Sequence, residues 1–107
     1  VRRDACGALR MMGEKAATNE VIDVLVRAVG DQNEDVRRAA CGALAAMGEK
    51  AATSEVIGAL VCALRDEMVS VKIAACEALL RMGEKAATSE VIDALVRAVG
   101  DQNKDVR

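Results

Sequence analysis

The chain predicts an all-α fold, a right-handed α-solenoid of stacked antiparallel helix pairs with six helices. Three observations predict it. Val-Arg or Val-Lys recurs at Val1, Val36, Val71 and Val106, a period of 35 residues kept without insertion or gap. The connector Met-Gly-Glu-Lys-Ala-Ala-Thr recurs in phase from Met12, Met47 and Met82, as does Glu-Val-Ile from Glu20, Glu55 and Glu90. The chain has no Phe, Tyr, Trp or Pro, so any core is built from Ala, Leu, Val, Ile and Met. A fixed period of this size signals stacked supersecondary units, none of which can bury its apolar face alone. The blocks run 1–35, 36–70 and 71–105, with 106–107 starting a fourth, in one array over 1–107.

Taken in order, Val1 to Met12 reads as a helix with Val1, Ala5, Ala8, Leu9 and Met12 on one side at about 100° per residue. Gly13 comes next, where a left-handed C-terminal cap is wanted. Thr18 or Asn19 caps the next helix, whose stripe is Val21, Ile22, Leu25, Val26 and Val29, with Glu20 at the positive end of its dipole. Gly30-Asp31-Gln32-Asn33 breaks the pattern, and Asn33 caps the helix beyond it. The second block repeats the plan. Val36, Ala40, Ala43, Leu44 and Met47 form one stripe, Gly48 ends it, Thr53 or Ser54 caps, and Val56, Ile57, Leu60, Val61 and Leu64 form the next. The third block departs most. Met68 holds the capping position of Asn33, which leaves Asp66 or Ser70 as candidate caps. Val71, Ala75, Ala78, Leu79 and Met82 keep the stripe, Glu90 to Val99 form the last full helix, and Lys104 to Arg107 begin another. The short connectors force antiparallel neighbours.

Composition narrows the function. A formal net charge of −2 leaves no basic footprint for nucleic acid. No apolar run reaches the roughly 18 residues of a membrane span, so no membrane partner is expected. There is no His. Cys6, Cys41 and Cys76 are one repeat position seen three times, and Cys62 faces the other way, where Arg27 and Arg97 stand. Equivalent Cα atoms in a helical stack lie farther apart than the ~7 Å a disulfide tolerates. The cysteines therefore read as packing residues suited to a reducing, cytoplasmic compartment, with Cys62 an exposed thiol. No Cys-x-x-Cys pair points to a metal, and no cofactor is expected.

The run Val36-Arg37-Arg38-Ala39-Ala40-Cys41-Gly42-Ala43-Leu44, continued by Met47-Gly48, resembles the second helix of a HEAT-like repeat. Glu55-Val56-Ile57-Gly58-Ala59-Leu60-Val61, with Ala63-Leu64 and Asp66, resembles the first helix. The variety nearest in motif is the short HEAT-like repeat of phycobilin lyase relatives and artificial alpha-helical repeat libraries. That repeat is shorter than 35 residues, and the surplus sits in the Glu-Lys-Ala-Ala-Thr connector. The resemblance implies a ladder along the stack in which Asp31, Asp66 and Asp101 face Arg37, Lys72 and Arg107 or their neighbours, each exposed pair contributing about 0–1 kcal/mol. Tetratricopeptide repeats want Trp, Tyr, Phe and Pro landmarks that are absent. Pentatricopeptide repeats share the period but read RNA, and this chain lacks the basic balance and polar code positions for that.

The resemblance also implies that second helices line a concave surface. The positions expected there are Arg3, Asp4, Glu34, Asp35, Arg38, Val69, Ile73, Glu77 and Arg81, with Gly7, Gly42 and Ala46 among them. Such a face is either an ordinary solvated one or a docking surface for a protein or peptide. Ile73, with Val69 and Met68, is its apolar departure. Catalysis finds no support: carboxylates sit at caps, turns and helix surfaces, and there is no strand leading into a phosphate loop. HEAT-like glycosylases would want aromatics and a basic cleft, and a lyase reading would rest on shared fold alone. The expected role is a protein-binding or scaffold module. The alternative is a structural or designed repeat without a natural ligand, stacking head-to-tail as a homo-oligomer, since the chain starts on a second helix and stops after a first. A piece of a longer array would look the same.

Overall fold

The seven-residue connector is where the repeating pattern becomes geometry. In a computed structural model, which describes residues 2–99, Gly13, Gly48 and Gly83 have φ of 57°, 57° and 63°. With ψ near −136° and −139° at Gly48 and Gly83, the backbone occupies a region that side-chain-bearing residues enter only under strain. The helix stops there, as the glycine position implies. From each glycine the chain enters a 3₁₀ turn rather than an open loop: Gly13–Ala16, Gly48–Ala51 and Gly83–Ala86. Each turn ends on a buried alanine, Ala16, Ala51 or Ala86, which ties the connector to the core.

The helices are α1 (Arg2–Met12), α2 (Asn19–Val29), α3 (Glu34–Met47), α4 (Ser54–Ala63), α5 (Val69–Met82) and α6 (Ser89–Val99). No strand occurs among the described residues, and the fold is an all-α solenoid. α1, α3 and α5 stack side by side in one layer, and α2, α4 and α6 in the other. Pairs close where α2 meets α3 and α4 meets α5. The shortest extent, 18 Å, fits two layers of helices. No described helix is long and apolar enough to cross a membrane.

Caps resolve the choices left open by the residue types. Thr18, Thr53 and Thr88 each cap, their hydroxyls accepting from the backbone N–H of Val21, Val56 and Val91 at 3.3, 3.2 and 3.2 Å. The Asn33 side chain accepts from Asp35 and Val36. Met68 offers α5 no such acceptor; instead Asp66 Oδ1 accepts from the Met68 N–H at 2.8 Å, as Asp31 Oδ1 does from Asn33 at 2.9 Å. Asp66, not Ser70, thus shapes that turn.

Ala40, Ala43, Leu44 and Met47 have no exposed surface, and neither do Val71, Ala75, Ala78 and Met82. The stripes read from the 3.6-residue period are the core. In α1 the same positions are bare: Ala5, Ala8 and Met12 are exposed and Leu9 is half-buried. In α6 only Val91 is buried, while Ile92, Val96 and Val99 face out.

The ionic ladder departs from expectation in register and in burial. Asp66 pairs backwards along the stack rather than with Lys72, which stands at the start of the next block. Its carboxylate takes two bonds from Arg37 of the preceding second helix, Nε to Oδ2 at 2.7 Å and Nη2 to Oδ1 at 3.1 Å. Arg37 Nη1 meanwhile donates to the backbone oxygens of Asp31 and Gln32, at 2.9 and 3.0 Å. One guanidinium therefore clasps the turn that precedes its own helix to the turn that precedes the next second helix. The side chains are only 15% and 11% exposed, so this is a largely desolvated, bidentate pair rather than a surface one. Asp101 and Arg107 lie outside the described residues. Removing Arg37 strands a mostly buried carboxylate, so Arg37→Ala is expected to lower the unfolding free energy by about 2–3 kcal/mol. Arg38→Ala, one residue on but exposed, should change it by less than about 0.5 kcal/mol. Urea denaturation of both variants checks the contrast.

Candidate protein-docking surface

Helical spacing sends one row of the second-helix layer outward. Arg3, Arg38 and Ile73 share one repeat position on α1, α3 and α5; Gly7, Gly42 and Glu77 share another. Arg3, Asp4, Glu34, Arg38, Ile73, Glu77 and Arg81 are exposed, and Asp35 and Val69 are half-buried. Asp4 shares its repeat position with Ala39 and Ala74, which pack against the core, so it stands on the flank of α1.

Among these residues the charges are largely answered within the surface. Asp35 lies between two arginines, 3.8 Å from Arg3 of the neighbouring helix and 3.2 Å from Arg38 one turn on. Arg3 also approaches Asp4 at 3.9 Å, and Arg81 approaches Glu77 at 4.0 Å. At the 3₁₀ edge, Lys50 reaches Glu14 of the preceding connector at 3.8 Å. The chain of ions runs from α1 to α3 and stops, because Ser70 and Ile73 stand where Asp35 and Arg38 stand one repeat earlier. Ile73 is 51% exposed and Met68 38% exposed, with Val69 beside them on the first turn of α5.

Arg10 and Met11 are not among the residues expected to face outward, although Met11 shares its repeat position with Ala46 and Arg81, which are. Arg10 lays its Cδ about 3.7 Å from where a Cβ of Gly42 would stand, so the glycine makes room for a neighbouring side chain. Met11 is 87% exposed on α1. Their repeat positions, shared with Ala45 and Ala46, were the available signal.

The thiols divide by burial. Burial pushes the Cys41 pKa up to about 12, with the Asp66 carboxylate adding to it. Cys6 and Cys76 are raised in the same direction, chiefly by burial. Cys62 is exposed, at a groove between α2 and α4 that Val26, Val29, Ala59 and Asp66 also line. No histidine exists to activate any of them, and among the described residues no three His, Cys, Asp or Glu side chains could hold a metal ion. Cys62 should therefore react first with a thiol reagent and Cys41 only on unfolding, which labelling kinetics read by peptide mass would show. The raised Cys41 pKa also sets a sign. Stability is fully present below the ordinary thiol value of 9.0 and falls as pH rises from there toward about 12, where the unfolded chain has lost a proton that the folded one keeps.

Compared with known families, residues 1–61 match the family model for HEAT repeats. No curated protein matches the chain.

Proposed function

The chain belongs to the HEAT-repeat family, and from that premise we propose that it is a protein-binding scaffold whose second-helix surface docks a protein or peptide. HEAT repeats commonly mediate protein–protein interaction or scaffolding. The observation that supports this surface is the break in its ionic row: Ile73, Val69 and Met68 form an apolar spot beside arginines already paired to Asp35. An isolated apolar anchor rimmed by satisfied charges has the anatomy of an interface hot spot, where a few residues supply most of the affinity. The surrounding Arg3, Asp4, Glu34, Asp35, Arg38, Glu77 and Arg81 carry both signs, so they would tune register and partner choice more than affinity. Nothing in this reading requires catalysis, a cofactor, a metal or nucleic acid.

Peptides selected from a display library against the wild-type chain test the proposal. Ile73→Glu is expected to weaken the selected binders at least about tenfold. Val24→Glu, on the opposite layer, should leave them unchanged. Binders indifferent to Ile73→Glu would place recognition elsewhere and defeat the reading.

A further inference from the structure

A groove of about 200 Å³ lies between α4 and α6, in the first-helix layer. Val61, Leu64, Ala94 and Ala98 give it apolar walls, and its charged lining is Arg65, Lys72 and Arg97. None of these residues belongs to the outward row of the second helices. The same groove exists one repeat earlier, between α2 and α4, on the same repeat positions. It therefore stays open where a further repeat follows on the stack.

The two grooves share a shape and differ in charge. In the earlier one Gly30 stands at the position of Arg65, Arg37 at that of Lys72 and Cys62 at that of Arg97. Its single cation is answered from within, because Arg37 is held by Asp66, which is itself a wall. Between α4 and α6, Lys72 is buried and already engaged. Arg65 and Arg97 are two additional cations, both exposed. Neither forms an ion pair or a side-chain hydrogen bond among the described residues, and no carboxylate among those residues lines the groove. Asp101, at the repeat position of Asp66, lies outside the described residues.

We propose that this groove binds a phosphate dianion, gripped by Arg65 and Arg97. One guanidinium comes from the end of α4 and the other from α6, so two positive charges meet the two negative charges of the ligand. Each planar fork suits a pair of phosphate oxygens, whereas a carboxylate would answer only one of the two. The apolar walls lower the local dielectric and strengthen the attraction. The dianion is either that of a free phosphate compound or that of a phosphorylated side chain on a partner. This site shares no residue with the docking surface and stands or falls separately from it.

Amide NMR titrations of the 107-residue chain test this at constant ionic strength and about pH 7.5, where a phosphoryl group is largely a dianion. The probes are inorganic phosphate, acetate and a phosphoserine peptide. Phosphate should produce saturable shifts centred on Leu64, Arg65, Lys72, Arg97 and Ala98, and acetate should not. Arg65→Gln combined with Arg97→Gln should weaken phosphate at least about tenfold. Both sites are exposed, so circular dichroism should show unchanged helicity. Arg27→Gln, at the repeat position of Arg97 but on another groove, should leave binding unchanged. A phosphoserine peptide that binds more tightly than inorganic phosphate makes a phosphorylated chain the source; one that binds no more tightly makes it a free phosphate compound. Absence of shifts at these residues, an equal response to acetate, or phosphate binding that survives the double substitution overturns the proposal.

Discussion

Close packing of the second helices is the constraint on which the other features depend. α3 lies between α1 and α5 in its own layer and against α2 in the other. Its residues Ala40, Cys41, Ala43, Leu44 and Met47 are wholly buried. With no aromatic side chain in the chain, nothing bulky holds these helices apart. Alanine on both sides of the seam, at positions such as Ala40, Ala75 and Ala78, suits the close end of helix–helix spacing. Interiors packed in this way feel the addition or loss of a single methylene. Each repeat then depends on its immediate neighbours and on little else, which is the energetic signature of a quasi-one-dimensional array.

The polar devices act on top of that packing. Arg37 can span two turns because the close stacking brings Asp66 within reach. A guanidinium fork fixed on a carboxylate and two backbone oxygens permits little rotation of one repeat against the next. Thr18, Thr53 and Thr88 set where the first helices start, and Gly13, Gly48 and Gly83 set where the second helices stop. The outward surface is consequently a ruled array in which the same repeat position recurs on helix after helix. A substitution such as Ile73 for arginine then stands out as a local change in chemistry on an otherwise constant frame.

Much of this was legible from the residues because each rule involved is local. The 3.6-residue stripes of α3 and α5, the glycines that end the second helices, and Asn33 as a cap are set by neighbours a few positions apart. The Arg37–Asp66 clasp was not legible in its true register. It joins residues separated by 29 positions, and which carboxylate a basic residue meets depends on the rotation between repeats. The ordered 3₁₀ turn was missed for a similar reason, since Ala16, Ala51 and Ala86 stop the connector only by reaching a core that the stack creates. Exposure is likewise set by the surroundings and not by the local sequence. Met12 and Met47 share a sequence context, and only the neighbouring helices distinguish them. The residues of the outward row are exposed or half-buried, and the pairing of Arg3 and Arg38 through Asp35 depends on the spacing between helices, which no local rule sets.

Native-state hydrogen exchange tests the central claim most directly. If stability comes from burial against immediate neighbours, the slowest amides should lie in α3. Protection should fall through α2, α4 and α5 and be weakest in α1 and α6, whose stripes are bare. Equal protection in every helix, or slowest exchange in α1 or α6, would contradict the account.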